Sequence, residues 1–339
     1  MNIEQLLNEL CCINGVSGDE NKVREYIIGK IEGKCEYRID PLGNIIAHKK
    51  GREVPKNKVM MSAHMDEVGM IVTYIKDDGT LCVSPVGGVD PRVVIGRKVK
   101  IGGTQGVIGA KAVHNLSAEE KKKAPQFSSL YADIGAQSRE DAAKLVSLGD
   151  SVYFDSEYFT FGDGFVCGKA IDDRFGCAVM ISLINSDLHY DCTFTFVVQE
   201  EVGLRGARAA AYTVDPNFAI VLEATTAADI PSASEEKKCC ILGNGPVVSY
   251  MDRSTVYDRE LFNISKEIAQ ENNIPWQTKT MVAGGNDSGA IHLSRGGVRT
   301  MAISIPCRYL HSPACAAKLT DIENSARLAE IMLEKLCSL

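Results

Sequence analysis

A chain of 339 residues is long enough for a sizeable core and two domains. Hydrophobic residues make up 45% and charged residues 24%, the balance of an ordinary globular protein. A formal net charge of −7 leaves no basic footprint for nucleic acid or an anionic membrane. The one dense basic run, Lys121-Lys122-Lys123, comes after Glu119-Glu120 and reads as a solvated loop. No apolar run approaches the roughly 18 residues of a membrane span, and Met1 to Gln5 has neither the basic nor the apolar region of a secretory leader. The 12 cysteines show no C-x-x-C spacing, and two pairs are adjacent (Cys11-Cys12, Cys239-Cys240). Reduced thiols in a cytoplasmic protein fit this pattern.

In chain order, Ile3, Leu6, Leu7 and Leu10 predict a helix ending near Gly15. Ser17-x-x-Glu20 reads as a capping box ahead of a second helix with Val23, Ile27, Ile28 and Ile31 on one face. Asn44–Ala47 and Lys58–Ala63 are short strands. From Val68 to Gly162 short β-rich runs alternate with turn signals: Met70–Ile75, Leu81–Val83, Val93–Ile95 and Lys98–Ile101. Ala118–Ser129 reads as a mobile loop, and Glu140–Leu148 as a helix. Strand–helix alternation then resumes, with strands Cys192–Val198, Phe218–Leu222 and Thr300–Ile305. Its helices span Phe175–Asn185, Leu261–Asn272 and Leu319–Cys337. The pattern predicts an α/β fold of two domains. Residues 1–67 and 163–339 form one α/β domain, and 68–162 form an inserted β-rich domain.

The residues just past each buried strand carry the chemistry. His64-Met65-Asp66 comes after the second strand, Gln199-Glu200-Glu201 after Val198, Glu223 after Leu222, and His311 soon after Ile305. Asp172-Asp173 stands just before a helix. Ligands of open α/β sheets bind at the carboxyl ends of the strands, so these side chains are expected at one rim. So many carboxylates in a partly buried site need a compensating cation. Imidazole with carboxylate suits zinc, cobalt or manganese, and the lack of cysteine argues against a closed structural zinc site. His64 and Asp66, two apart, point the same way if the strand continues, so Asp66 could orient a ligating His64. In Glu200-Glu201 one carboxylate could bind metal while the other handles protons, and Gly203 and Gly206 close behind suggest a tight turn. Two cations ~3.5–4 Å apart would activate water. Asp173 is expected as a helix N-cap and Asp287 as a turn residue or pocket wall. His48, His114, His189 and His292 stand apart from the set.

The motifs Ser62–Gly69, Gly168–Arg174, Gln199–Ala207 and Arg308–Pro313, in this order, resemble the M42 family of metallo-aminopeptidases, which includes tetrahedral and glutamyl aminopeptidases. The resemblance covers essentially the whole chain. It implies a three-layer α/β catalytic domain like that of the zinc exopeptidases, with an inserted small β-barrel (PDZ-like) domain used in dimerisation. It implies two divalent metal ions per subunit, zinc first, with cobalt or manganese as alternatives. Asp172 would bridge them, His64 and Glu223 would complete one metal, and Glu201 and His311 the other. Glu200 would be the general base and Asp66 the carboxylate orienting His64. The implied activity is removal of N-terminal residues from short peptides by a dimer-based homo-oligomer, up to a dodecamer. The chain departs from the family at Glu223, where Asp is common, and at Asn286, where Thr is frequent. An endoglucanase-type glycoside hydrolase, which also pairs carboxylates, and a non-catalytic scaffold are the alternative readings.

Overall fold

α1 (Ile3–Cys11) buries Leu6, Leu7 and Leu10, and Asn2 caps it by accepting from the Gln5 N–H (3.1 Å). α2 (Asn21–Ile31) buries Val23, Ile27 and Ile31. The structure, a computed structural model, describes residues 1–231 and 233–339. The expected capping box does not form. Ser17 instead donates to Asp66 (2.6 Å), and Glu20 accepts from the N–H groups of Gly18 (2.8 Å) and Gln199 (3.1 Å). Both side chains serve distant backbone and site groups in place of the local helix start.

β1 (Glu36–Ile39) is exposed throughout and so carries no apolar alternation from which a strand is predicted. It pairs antiparallel with β2 (Ile45–Lys49), and β3 (Val59–His64), buried at every residue, comes next.

Six strands then close a barrel: β4 (Gly69–Ile75), β5 (Leu81–Val86), β6 (Lys98–Ile101), β7 (Thr104–Ala110), β8 (Leu130–Asp133) and β9 (Ser151–Phe154), in the order β4-β5-β8-β7-β6-β9. Its own core is built from Met70, Val72, Leu81, Val99, Ile101, Ile108, Leu130 and Val152. Two expectations fail here. Val93 and Val94 lie not in a strand but in α3 (Pro91–Val94), a single turn capped by Asp90, which accepts from the Arg92 N–H (2.8 Å). A capping Asp with Pro at the first helical position outweighs the β-branched run. The helix expected over Glu140–Leu148 is only α4 (Arg139–Ala143), and Leu145 and Leu148 are exposed beyond it. The segment Ala118–Ser129 carries two short 3-10 turns, Glu120–Lys122 and Phe127–Ser129.

β10 (Phe159–Phe161) and β11 (Phe165–Gly168) lead to α5 (Ile171–Ile184). Next come β12 (Cys192–Val197), α6 (Arg205–Val214), β13 (Phe218–Thr226), β14 (Val247–Val248), α7 (Arg259–Glu271) and β15 (Gln277–Thr278). α8 (Ser288–Ile291), β16 (Arg299–Cys307), β17 (Cys315–Lys318) and α9 (Leu319–Ser338) complete the chain. The main sheet runs β1-β2-β12-β3-β13-β16-β14-β15, and β12, β3, β13 and β16 are mutually parallel. Being covered on both faces, these four strands read as continuous apolar runs. Met61, Phe194, Phe196, Ile220, Leu222 and Ile303 pack with α1, α5 and α9, whereas Met60, Val197, Ala219, Val221 and Ala302 meet Ala207, Ala210 and Ala211 of α6 and Ile291 of α8. That alternation makes three layers. β10-β11-β17 form a small separate sheet. Among the described residues no helix is long and apolar enough to cross a membrane.

Candidate metal centre

The parallel register delivers the candidate ligands to one edge. It pairs Val197 with His64 and Val221 with Ser62, so Glu223, two residues further along β13, comes level with His64. Asp172 arrives at the start of α5, and His311 lies between β16 and β17. Asp172 reaches both imidazoles: Oδ1 is 3.2 Å from His64 Nε2 and Oδ2 is 3.5 Å from His311 Nε2. Glu223 Oε1 lies 3.6 Å from His64 Nε2, and Glu201 Oε2 lies 3.4 Å from His311 Nε2. The other nitrogen of each ring faces a main-chain carbonyl. His64 Nδ1 is 3.0 Å from Asp66 O, closer than its 3.5 Å to the Asp66 carboxylate, and His311 Nδ1 is 3.2 Å from Gly88 O. Gly88 belongs to the barrel segment between β5 and α3, so both modules meet at the site.

Donor atoms of His64, Asp172 and Glu201 lie within 4.8 Å of one another, as do those of His64, Asp173 and Glu223. Asp173 is otherwise engaged. Its Oδ1 accepts from the Gly176 N–H (3.0 Å), capping the helix as expected, and its Oδ2 accepts from the His64 N–H (3.3 Å). Asp172 is therefore the acid that faces both rings.

The Glu200-Glu201 turn is held from several directions. Asp66 accepts from the N–H groups of Glu200 (3.0 Å) and Glu201 (3.1 Å), and Ser17 fixes the same carboxylate. Gln199 and Leu204 both adopt left-handed backbone (φ 56), strain of a kind concentrated at functional sites. Asn44 accepts from the Val198 N–H (2.9 Å) and donates to Gly206 O (3.0 Å). Gly206 is required, because a Cβ there would lie 2.3 Å from Val198 O. The side-chain oxygens of Glu200 take no hydrogen bond among the described residues, and they line a cavity of about 630 Å³ shared with Asp172, Glu201, Glu223 and His311. A groove of about 680 Å³ at the opposite end of the sheet, beside Tyr37, His48 and Lys58, gathers no such donor set.

The electrostatics are those of a site short of positive charge. Burial, together with Asp172, pushes Glu201 up to about 8 and Glu223 well above the carboxylate range. Burial also pushes Glu200 well up, opposed by His64 and reinforced by Asp287, Glu201 and Asp66. Burial works against the His64 and His311 imidazoliums, but the acids around them win: His64 is held well above its ordinary value and His311 at about 9. Burial would raise Asp66, yet its bonds to His64, Ser17 and Glu200 N–H keep it low, and the two imidazoles do the same for Asp172. Among the described residues no lysine or arginine lies within 4.0 Å of Asp172, Glu201 or Glu223. A buried imidazole–carboxylate set without its own counter-charge fits divalent cations.

Asp287 is neither the turn's anchor nor a cavity wall. It is fully buried at the start of α8, and both its oxygens lack a hydrogen-bond partner among the described residues. Asn286 holds the turn by accepting from the Ser288 N–H (2.9 Å), and it lines the cavity. His48, His114, His189 and His292 lie away from the centre, His48 and His114 exposed and His189 and His292 half-buried. The supports from Ser17, Glu20, Asn44 and Gly88 are not foreseen by the sequence pattern. Ser17 and Glu20 carry a signal, but a local one, and nothing in the spacing marks the other two.

Residues 43–328 match the family described as M42 glutamyl aminopeptidase. The chain is 44% identical to a relative in Acetivibrio thermocellus whose name assigns it provisionally to the aminopeptidases, over 98% of each chain. The aminopeptidase APDkam598 of the archaeon Desulfurococcus kamchatkensis has a similar structure, with a TM-score of 0.93 and 32% identity over 98% of this chain and 94% of that one. So has the TET1 peptidase of Pyrococcus horikoshii, which can assemble into a tetrahedron or a large octahedral shell (TM-score 0.86, 34% identity, 98% and 99% covered). The glycoside-hydrolase reading falls away, since the acids converge on two imidazoles and the matching family consists of peptidases. The ordered motifs, the three-layer fold with its barrel and the match across most of the chain place this protein in the M42 family of aminopeptidases, hydrolases acting on peptide bonds.

Proposed function

We propose that this protein removes N-terminal residues from short peptides at two divalent cations, with Glu200 as the general base. The observation that carries the reading is the bridge made by Asp172, which turns one oxygen to each histidine. His64, Asp172 and Glu223 would hold one cation, and Asp172, Glu201 and His311 the other. Zinc suits this donor set first, then cobalt or manganese. When bound, such a pair supplies Lewis acidity toward a carbonyl oxygen and toward water.

The chain's own residues do the rest. Glu200, with free carboxylate oxygens facing the cavity, takes the proton of the attacking water. As the water oxygen bonds to the carbonyl carbon and the C–N bond breaks, Glu200 passes that proton to the leaving amine. Asp66 aims Glu200 and Glu201 through their N–H groups and steadies His64. The cavity volume lies in the range of small-ligand sites, about 300–1,000 Å³, which favours a peptide end over a folded chain. The barrel would serve dimerisation: Val107 and Val113 are exposed on it. A dimer-based assembly, up to a dodecamer, and a cytoplasmic location complete the reading.

Glu200→Gln tests it. The variant should keep its cations by elemental analysis while kcat on aminoacyl-anilides falls by about 10²–10⁴-fold, the usual contribution of a general base. Near-native kcat would overturn the assignment. Chelation should abolish hydrolysis of the wild type, and zinc, cobalt or manganese should restore it.

A further inference from the structure

We propose that Lys237 and Lys279 form a carboxylate subsite toward the open end of the cavity, which takes the free C-terminus of a peptide of about three to five residues. This rests on the aminopeptidase reading above and names its substrate class. Both lysines line the cavity of Glu200, Glu223 and His311, and neither has a carboxylate within 4.0 Å among the described residues. The acids beside Lys237 are turned elsewhere: Glu235 pairs with Lys238, and Glu236 accepts from Ser234 Oγ (2.6 Å). Lys279 donates to a main-chain oxygen, Ala283 O (2.6 Å), which leaves its charge uncompensated. The two wall acids outside the ligand set and Glu200 are occupied as well. Asp90 accepts from Arg92 Nε (3.0 Å), and Asp252 accepts from the Ser254 and Thr255 N–H groups (2.8 Å each) and from the Tyr257 hydroxyl (2.6 Å). Away from the metal centre the wall therefore favours an anionic group.

The position of the lysines selects which carboxylate. Glu223, Ser304, Val247 and Gln277 stand in register across β13, β16, β14 and β15, three strand spacings or about 14 Å apart end to end, and Lys279 comes two residues after Gln277. Exposure rises along the wall: His64, Asp172 and Glu223 are buried, Lys279 is half-buried and Lys237 is exposed. The N-terminal residue sits at the buried end, where its carbonyl is attacked, so the chain beyond it runs toward the lysines. The terminal carboxylate of an extended tri- to pentapeptide lies about 7–14 Å past the scissile bond, and the flexible lysine stems cover the intermediate lengths. A first side chain, even that of glutamate, ends about 5 Å from its own carbonyl carbon and stays among the donor set. Longer peptides carry their C-terminus out of the cavity and forgo the pairing.

The test uses the zinc-loaded full chain with Ala-Gly-Gly-Gly as the free acid and as the C-terminal amide. We expect kcat/KM for the acid to exceed that for the amide about three- to tenfold, as two partly exposed ion pairs supply. The difference should lie in KM and shrink as salt screens it. The double variant Lys237→Met with Lys279→Met should lose the preference, whereas Lys237→Arg with Lys279→Arg should keep it. An acid-to-amide ratio that the Met substitutions leave unmoved would overturn the subsite. Glu- and Gln-anilides, which have no C-terminal carboxylate, locate the source of the charge. If the Met substitutions abolish a preference for the Glu-anilide, the lysines serve the first side chain and the C-terminal assignment is overturned. Calorimetric titration of Glu200→Gln with both tetrapeptides should show the same preference in Kd. A chain that cleaves no peptide at all would sink the aminopeptidase reading, while the titration still decides the subsite.

Discussion

Glu223 carries one methylene more than the Asp common at its position, and the structure shows how the extra length is accommodated. Its Oε1 accepts from the N–H of Ala224 (3.0 Å), so the side chain turns back along its own strand, yet the same oxygen remains 3.6 Å from His64 Nε2. Glu223→Asp would withdraw the carboxylate by about 1.5 Å, one C–C bond, where coordination tolerates about 0.2 Å. We expect this variant to hold one cation weakly and to lose at least about tenfold in kcat. Metal content after dialysis against limiting zinc is the check, and two tightly held cations would refute the ligand role. The five candidate ligands are legible in the sequence because each stands just after a buried strand or just before a helix. Asp287 misleads for the converse reason. It looks like an ordinary turn residue in Gly284–Gly289, and only the folded chain shows that Asn286 makes the turn while Asp287 is buried.

At the scale of elements, the segment 198–206 shows where spacing stops being informative. Gly203 and Gly206 point to a tight turn, which exists, but α6 beginning at Arg205 escapes the apolar periodicity because its buried face is built from alanines. The contacts that hold the turn come from Asn44, Asp66 and Glu20, more than a hundred residues away. Such pairings have no periodicity to betray them. They make a sharp prediction. Asn44→Ala strips the side-chain partner from the buried Val198 N–H, at a cost of roughly 1–3 kcal/mol. Gly206→Ala forces a methyl against Val198 O, costing roughly 1–3 kcal/mol. Denaturant unfolding measures both. If either variant is as stable as the wild type, the turn is held by other contacts. Where apolar residues run unbroken, as in β3, β12, β13 and β16, burial on both faces makes the strands plain. β1 has no buried side and gives no such sign.

For the molecule as a whole, the cluster of acids ties stability to metal and pH together. Without cations, Glu201 at about 8 and Glu223 well above its ordinary value are raised on folding, and so are His311 at about 9 and His64. A group raised on folding stabilises below its unfolded pKa, and that contribution is lost as pH climbs through the folded one. All four act in the same direction. Chelated protein should therefore lose thermal stability steadily between about pH 5 and pH 9, whereas zinc-loaded protein should keep a higher Tm across that window, since ligands that bind only the native state stabilise it. Differential scanning calorimetry in chelator and in zinc is the measurement. A Tm of the chelated form that rises with pH would contradict this charge balance.

The carbonyl of Gly88 that receives His311 Nδ1 has a consequence for how this architecture can be rebuilt. An imidazole that donates one proton to a main-chain oxygen keeps a lone pair on its other nitrogen, so the barrel dictates the tautomer of a catalytic-layer histidine. Grafting a foreign barrel between β3 and β11, or excising it for a linker, removes that instruction even if both halves fold. Such chimaeras should retain a cation at the His64 side and forfeit the one at the His311 side, an asymmetry that metal stoichiometry would reveal directly.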